Sequence, residues 1–184
     1  IMILVTGANG FVGRTLCAAL VSSGQTVVAA TRHALSESGP HISNFQISTL
    51  TADTDWQGGL QGCNAVVHLA ARVHVMADTA TDPLAEFRRV NVEGTLNLAR
   101  QAVAAGVRRF VFISSIKVNG ESTPLGQAFA ADDVADPQDP YSISKHEAEL
   151  GLRRLAAESG MEVVIIRPPL VYGPGVKANF QSMM

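Results

Sequence analysis

The chain has 184 residues, of which 47% are apolar and 16% charged, with a formal net charge of −2. That balance suits one well-packed domain, or one and a fraction, and excludes a disordered or fibrous chain. It offers no basic field for nucleic acid or an anionic membrane, and no apolar run nears the roughly 18 residues a membrane span needs.

Short β-branched runs alternate with longer helical patterns, the rhythm of parallel strands joined by helical crossovers. In chain order the patterning predicts a strand at 1–6, a helix at 11–22, and strands at 26–30, near 45–47 and at 65–69. A long helix at 83–105, a strand at 110–114, a helix at 141–159 and a strand at 162–167 follow. Several strands are almost wholly apolar, as strands covered on both faces are. Gly24, Gly106 and Gly160 come after the three helices, where a left-handed cap suits glycine. The fold class expected is α/β, with a doubly wound parallel sheet.

Residues 121–140 hold three prolines and five acidic residues without periodicity, and read as a long loop of the kind that often carries function. A strand-like stretch from the first residue leaves no room for a signal peptide, and a pattern that starts at 176 and stops at 184 suggests a chain cut short. Cys17 and Cys63 fall in apolar segments with no C-x-x-C pair, so buried free thiols in a reducing cytoplasm are expected. His33, His41, His74 and His146 show no ligand-like spacing, and no metal site is expected.

The strongest local signal is Thr6-Gly7-Ala8-Asn9-Gly10-Phe11-Val12-Gly13, which follows the first strand and opens the first helix. Gly7 permits a tight turn, Gly10 lets the backbone approach a pyrophosphate, and Gly13 lets helix and strand pack closely. The helix N-terminus then offers N–H groups and a favourable dipole to phosphate. The plainer alternative is a glycine-rich turn with no ligand.

This spacing resembles the short-chain dehydrogenase/reductase superfamily, and TGANGFVG in particular resembles its extended branch, the NAD-dependent epimerase/dehydratase family. The likeness continues through HLAA at 68–71, NVEGT at 91–95, YSISK at 141–145 and RPPLVYGPG at 167–175, so it spans essentially the whole chain in the right order. It implies a Rossmann nucleotide-cofactor domain over 1–168, with 169–184 opening a smaller lobe for a nucleotide sugar. It implies cofactor contacts from Gly7, Asn9, Gly10, Phe11, Val12 and Gly13. Further contacts are implied from Leu69, Ala70, Ala71, Asn91, Ser114, Tyr141, Lys145 and Pro168. For Asn91 an ordinary buried, satisfied amide is the competing reading, and His68 is expected to serve packing.

A cofactor lacking the 2′-phosphate is usually held by an acidic residue ending the second strand. That place reads Ala30-Thr31-Arg32-His33, with no carboxylate. Arg32 could pair with a 2′-phosphate, which leans the choice between NAD and NADP toward NADP, unless it is a solvated surface arginine. Thr49 and Leu50 take the place of the family's Asp-hydrophobic pair at the adenine.

Tyr141 and Lys145 lie four apart at the start of a predicted helix and share one face. A phenol titrates near 10, and a neighbouring ammonium stabilises its ionised form. The resemblance gives Tyr141 the proton exchange with a sugar hydroxyl, Lys145 the nicotinamide ribose, and Ser115 the orientation of the reacting oxygen. Lys117 and Asn119 depart from the family's usual small residue and tyrosine. Ile116-Lys117 also stands where its 4,6-dehydratases carry Asp-Glu, so dehydration is not expected.

On the substrate side Leu170 replaces an asparagine common in 4-epimerases. Lys177 and Asn179, the latter favoured, are candidates to meet a diphosphate, or are simply exposed polar residues. The resemblance thus implies a nucleotide-sugar 4-epimerase or 4-keto reductase, functioning as a homodimer through the helices at 83–105 and 141–159. The rival class is a non-catalytic dinucleotide-binding sensor of the same fold.

Overall fold

The computed structural model of the chain describes residues 1–33, 39–73 and 81–176. Six parallel strands form one sheet in the order β3-β2-β1-β4-β5-β6. They are β1 (Met2–Thr6), β2 (Thr26–Thr31), β3 (Ile42–Gln46), β4 (Ala65–His68), β5 (Arg109–Ile113) and β6 (Glu162–Ile166). The helices are α1 (Phe11–Ser22), the single turn α2 (Gln57–Leu60), α3 (Pro83–Arg88), α4 (Thr95–Ala104) and α5 (Pro140–Ser159).

Alternation along the strands separates two cores. Leu4, Val28, Val66, Phe110 and Phe112 pack with Leu98 and Ala102 of α4 and with Ala148 and Leu152 of α5. Ile3, Val5, Val27 and Ala29 turn the other way, onto Cys17, Leu16 and Leu20 of α1. Helices on both faces make the sheet doubly wound, as the strand–helix rhythm predicts. On β6, however, Val164 and Ile166 remain 40% and 45% exposed, so that apolar strand is covered on one face among the described residues.

The predicted helix at 83–105 is interrupted. Between α3 and α4 lies a π-helical turn, Arg89–Gly94. Here buried Asn91 turns inward to bond the backbone of Arg72. Gly94 makes room for Leu50, whose Cγ would lie 2.9 Å from an added Cβ. β3 starts earlier than expected because its register is set by pairing, Val27 to Ile42 through Thr31 to Gln46, rather than by its own sparse apolar content. α5 begins one residue before the predicted start, at Pro140. Asp139 caps it, accepting the Ser142 N–H at 2.7 Å in a reciprocal capping box, and Gly160 ends it at φ 75°.

Cys17 and Cys63 are buried and free, and burial pushes both thiols up. No helix among the described residues is long and apolar enough to cross a membrane. Nor does any His, Cys, Asp and Glu cluster there suit a metal ion.

Candidate active site

The strand order reverses between β1 and β4, and at that switch point the carboxyl ends of β1, β2 and β4 border a cleft of about 560 Å³. Open α/β sheets bind ligands at such a crevice. Its wall contains Gly7, Asn9, Gly10, Thr31, Arg32, Thr49, Leu50, Leu69, Ala70 and Ala71, all singled out from the sequence. Arg72 and Arg89, which sequence reasoning missed, also line it.

The floor is built by close contact. Gly7 adopts φ 64°, and a Cβ on it would stand 3.0 Å from the Ala70 nitrogen. A Cβ on Gly13 would fall 2.1 Å from the Gly7 carbonyl oxygen, so only glycine fits there. Gly13 therefore shapes the floor from beneath without lining it. Gly10 is the N-cap of α1, with no side-chain cap hydrogen bond and no acidic residue in the first turn. The N–H groups of Phe11, Val12 and Gly13 accordingly keep their pull on an anion. A backbone-only cradle, a positive helix end and a deep cleft fit the diphosphate of a dinucleotide.

One wall is tied by a buried polar chain. The N–H groups of Leu69 and Ala70 both donate to the Thr6 hydroxyl oxygen at 3.1 Å. The hydroxyl must then donate to His68 Nδ1, 2.6 Å away, which leaves the ring proton on Nε2 for Thr95 Oγ1 at 2.9 Å. Burial first, with Lys145 adding to it, lowers the His68 pKa to about 3, so the ring stays neutral. It is a strut, in keeping with the packing role expected of it.

The second group sits beyond β5. Ser115 follows the strand in extended conformation, and its oxygen accepts the Lys117 N–H at 3.2 Å. Burial first, and then the negative Asp139, raise the Tyr141 pKa, against an opposing pull from the Ser115 hydroxyl. Lys117 opposes that rise. Lys145, expected to lower it, is otherwise engaged. Its Nζ donates to the Ile113 carbonyl at 2.7 Å and lies 4.4 Å above the Phe112 ring. Burial lowers the Lys145 pKa to about 7, against an opposing pull from Glu149.

Several predicted contacts lie off the cleft wall. The Ser114 hydroxyl donates at 2.5 Å to Glu149, a buried carboxylate that also takes two bonds from Arg167. Asn91 bonds both backbone groups of Arg72 and donates at 3.0 Å to Ser144, so its buried amide is satisfied and clamps the cleft wall to α5. The Pro168 carbonyl accepts the Ile116 N–H at 3.0 Å. Tyr141 and Lys145 do not line the cleft either. Tyr141 connects to it through Phe87, edge-on at 6.2 Å, with the Arg72 guanidinium 5.4 Å over the same ring. Asn179 and Lys177 lie outside the described residues. Asn119 bonds Ala130 O and accepts from Arg167, fastening the loop after β5.

Sheet order, glycine cradle and cleft define a dinucleotide-binding α/β domain of the Rossmann kind. The chain matches the profile of the NAD dependent epimerase/dehydratase family over residues 3–184, and it belongs to that family. It is 51% identical to a UDP-glucose 4-epimerase of Vibrio cholerae over 99% of this chain and 55% of that protein. It is also 32% identical to a 2-alkyl-3-oxoalkanoate reductase of Stenotrophomonas maltophilia, over 94% of this chain and 52% of that one. Among solved structures, MoeE5 in complex with UDP-glucuronic acid and NAD matches at TM-score 0.85 and 33% identity, covering 100% of this chain and 60% of that one. The chain thus spans about half the length of the curated relatives it matches.

Proposed function

We propose that this chain forms the cofactor-binding part of a nucleotide-sugar epimerase that moves hydride at sugar C4, with Tyr141 as its acid/base. The reading rests on one juxtaposition above all: Ser115 caps the turn after β5, and Tyr141 opens α5, the helix that the Lys117–Asp139 ion pair ties to that turn. Identity to a UDP-glucose 4-epimerase supports it.

Bound NAD or NADP would supply the hydride acceptor and return the hydride. Gly7, Asn9 and Gly10 would hold the diphosphate, Thr49 and Leu50 the adenine, and Lys145 the nicotinamide ribose. Ser115 orients the sugar hydroxyl, and Tyr141 takes its proton as hydride leaves the carbon. Because burial and Asp139 work against the phenolate, the residues around Tyr141 must set how readily it accepts that proton. MoeE5, solved with NAD, favours NAD. Arg32 on the cleft wall keeps NADP as the second reading.

Residues 1–168 are the cofactor domain in this reading, and 169–184 open the substrate lobe, with Asn179 near the sugar diphosphate. The buried thiols of Cys17 and Cys63 suit a cytoplasmic enzyme, and α3, α4 and α5 are the candidate homodimer face. A second reading, a net 4-keto reductase, is favoured by the oxoalkanoate reductase relative.

The deciding test gives full-length protein UDP-galactose without added cofactor, or a 4-keto nucleotide sugar with NADPH. Tyr141→Phe should lower turnover by about 10²–10⁴-fold while cofactor affinity holds. Unchanged turnover removes Tyr141 from the mechanism, and no turnover by the native enzyme in either assay ends both readings.

A further inference from the structure

Lys117 and Asp139 are 22 residues apart in sequence, on either side of the long loop, yet their side chains form an ion pair. Each stands on the element that carries one of the two hydroxyl residues, Ser115 or Tyr141. The Lys117 N–H bonds the Ser115 hydroxyl, so the two residues share one 3-10 turn, Ile116–Val118 with Ser115 as its N-cap. Asp139 is the N-cap of α5, and Tyr141 lies in the first turn of that helix. The ion pair therefore bridges the two elements that carry the hydroxyls, at the point where they meet.

We propose that Lys117 and Asp139 act together as positioning residues, a strap across the mouth of the loop that fixes how Ser115 meets Tyr141. The inference builds on the assignment of Ser115 and Tyr141 made above. Among the described residues, the groups facing the phenol are few. From its own helix come Asp139 and Lys145, the latter turned to Ile113 O. From the turn after β5 come Ser115 and Lys117, with Glu121 3.3 Å from the Lys117 ammonium. From α3 comes Phe87, with Arg72 on that ring.

The strap makes a prediction that a merely structural bridge does not. Lys117 favours the phenolate and Asp139 opposes it. Removing either partner loosens the same contact but changes the phenol's charge surroundings in opposite senses. Asp139→Asn is well suited to the test, because asparagine caps a helix about as well as aspartate and only the charge is lost.

The experiment uses full-length protein containing 3-fluorotyrosine, with the Tyr141 resonance identified by its loss in Tyr141→Phe and followed by ¹⁹F NMR against pH. The Tyr141 midpoint should rise in Lys117→Met, fall in Asp139→Asn and return toward the native value in Lys117→Arg. Midpoints that stay put, or move the same way in both single variants, overturn the strap. In turnover, each single variant should lose roughly tenfold in kcat with the cofactor KM unchanged, as misplacement of a reacting group does. The double variant should be no worse than the worse single, and additive losses overturn the coupling. If the native enzyme turns over no nucleotide sugar, the functional reading falls while the fluorine titration still decides the strap.

Discussion

The two sides of the site are built from different materials. The cradle under the cleft is backbone against backbone: Gly13 beneath Gly7, Gly7 against Ala70, and α1 opening on an uncapped glycine. The Ser115–Tyr141 side is made of side chains, held by the Lys117–Asp139 pair and a buried Glu149–Arg167 network. In the first, geometry leaves no alternative residue. In the second, position depends on charges that other residues could tune. Damage to the cradle should therefore appear as lost stability, and damage to the hydroxyl pair as lost turnover in a folded protein.

Gly13→Ala is the most severe way to probe that contrast. Its methyl would meet backbone at 2.1 Å, and backbone cannot yield as a flexible side chain does. Urea unfolding should show a loss of about 3 kcal/mol or more, together with loss of cofactor binding. A stability change within about 0.5 kcal/mol would mean the cradle is not rigid.

Acid should act on the cradle wall through His68. Its pKa is about 3 in the fold against 6.5 ordinarily. Between those values the unfolded chain binds the extra proton and the folded chain does not, so stability falls as pH drops through that window. The expected loss from pH 7 to pH 4 is about 3 kcal/mol at 1.36 kcal/mol per unit. Equilibrium unfolding at the two pH values measures it, and His68→Asn should flatten the dependence. A slope unchanged by the substitution would show that His68 is not the group responsible.

The mildest effect should come from Arg32→Ser, which leaves the cradle untouched. If Arg32 meets a 2′-phosphate, NADP affinity should fall about tenfold while NAD affinity holds. Equal affinities before and after, measured by titration calorimetry, would make Arg32 a solvated surface residue.

The contrast also explains what could be read in advance. The cradle was legible because a steric demand for glycine leaves a mark at fixed spacing, and nearly continuous apolar strands set between helical patterns pointed to a sheet covered on both faces. Tyr141 and Lys145 were legible as a spacing of four, but where the ammonium points was not. Lys145 turns to Ile113 O because burial makes the carbonyl its available partner. Arg89 escaped notice because the π-turn breaks the helical period that would have aligned it with the cleft, and Arg72 because it lies in the irregular stretch after β4. The Lys117–Asp139 pair could not be seen, since no local pattern connects residues across an aperiodic loop. Asp139-Pro140 itself did carry a readable sign, a capping aspartate before a proline at the first helical position.

That π-turn has a consequence of its own. A wider turn holds one residue more than the regular spiral, so the two ends of the helix are rotated out of phase by about 100°. α3 can therefore present Phe87 to Tyr141 and Arg88 to Glu147 of α5. Past the turn, α4 still delivers Thr95 to His68 and Leu98 to the sheet. The extra residue works as a gear between two meshing surfaces.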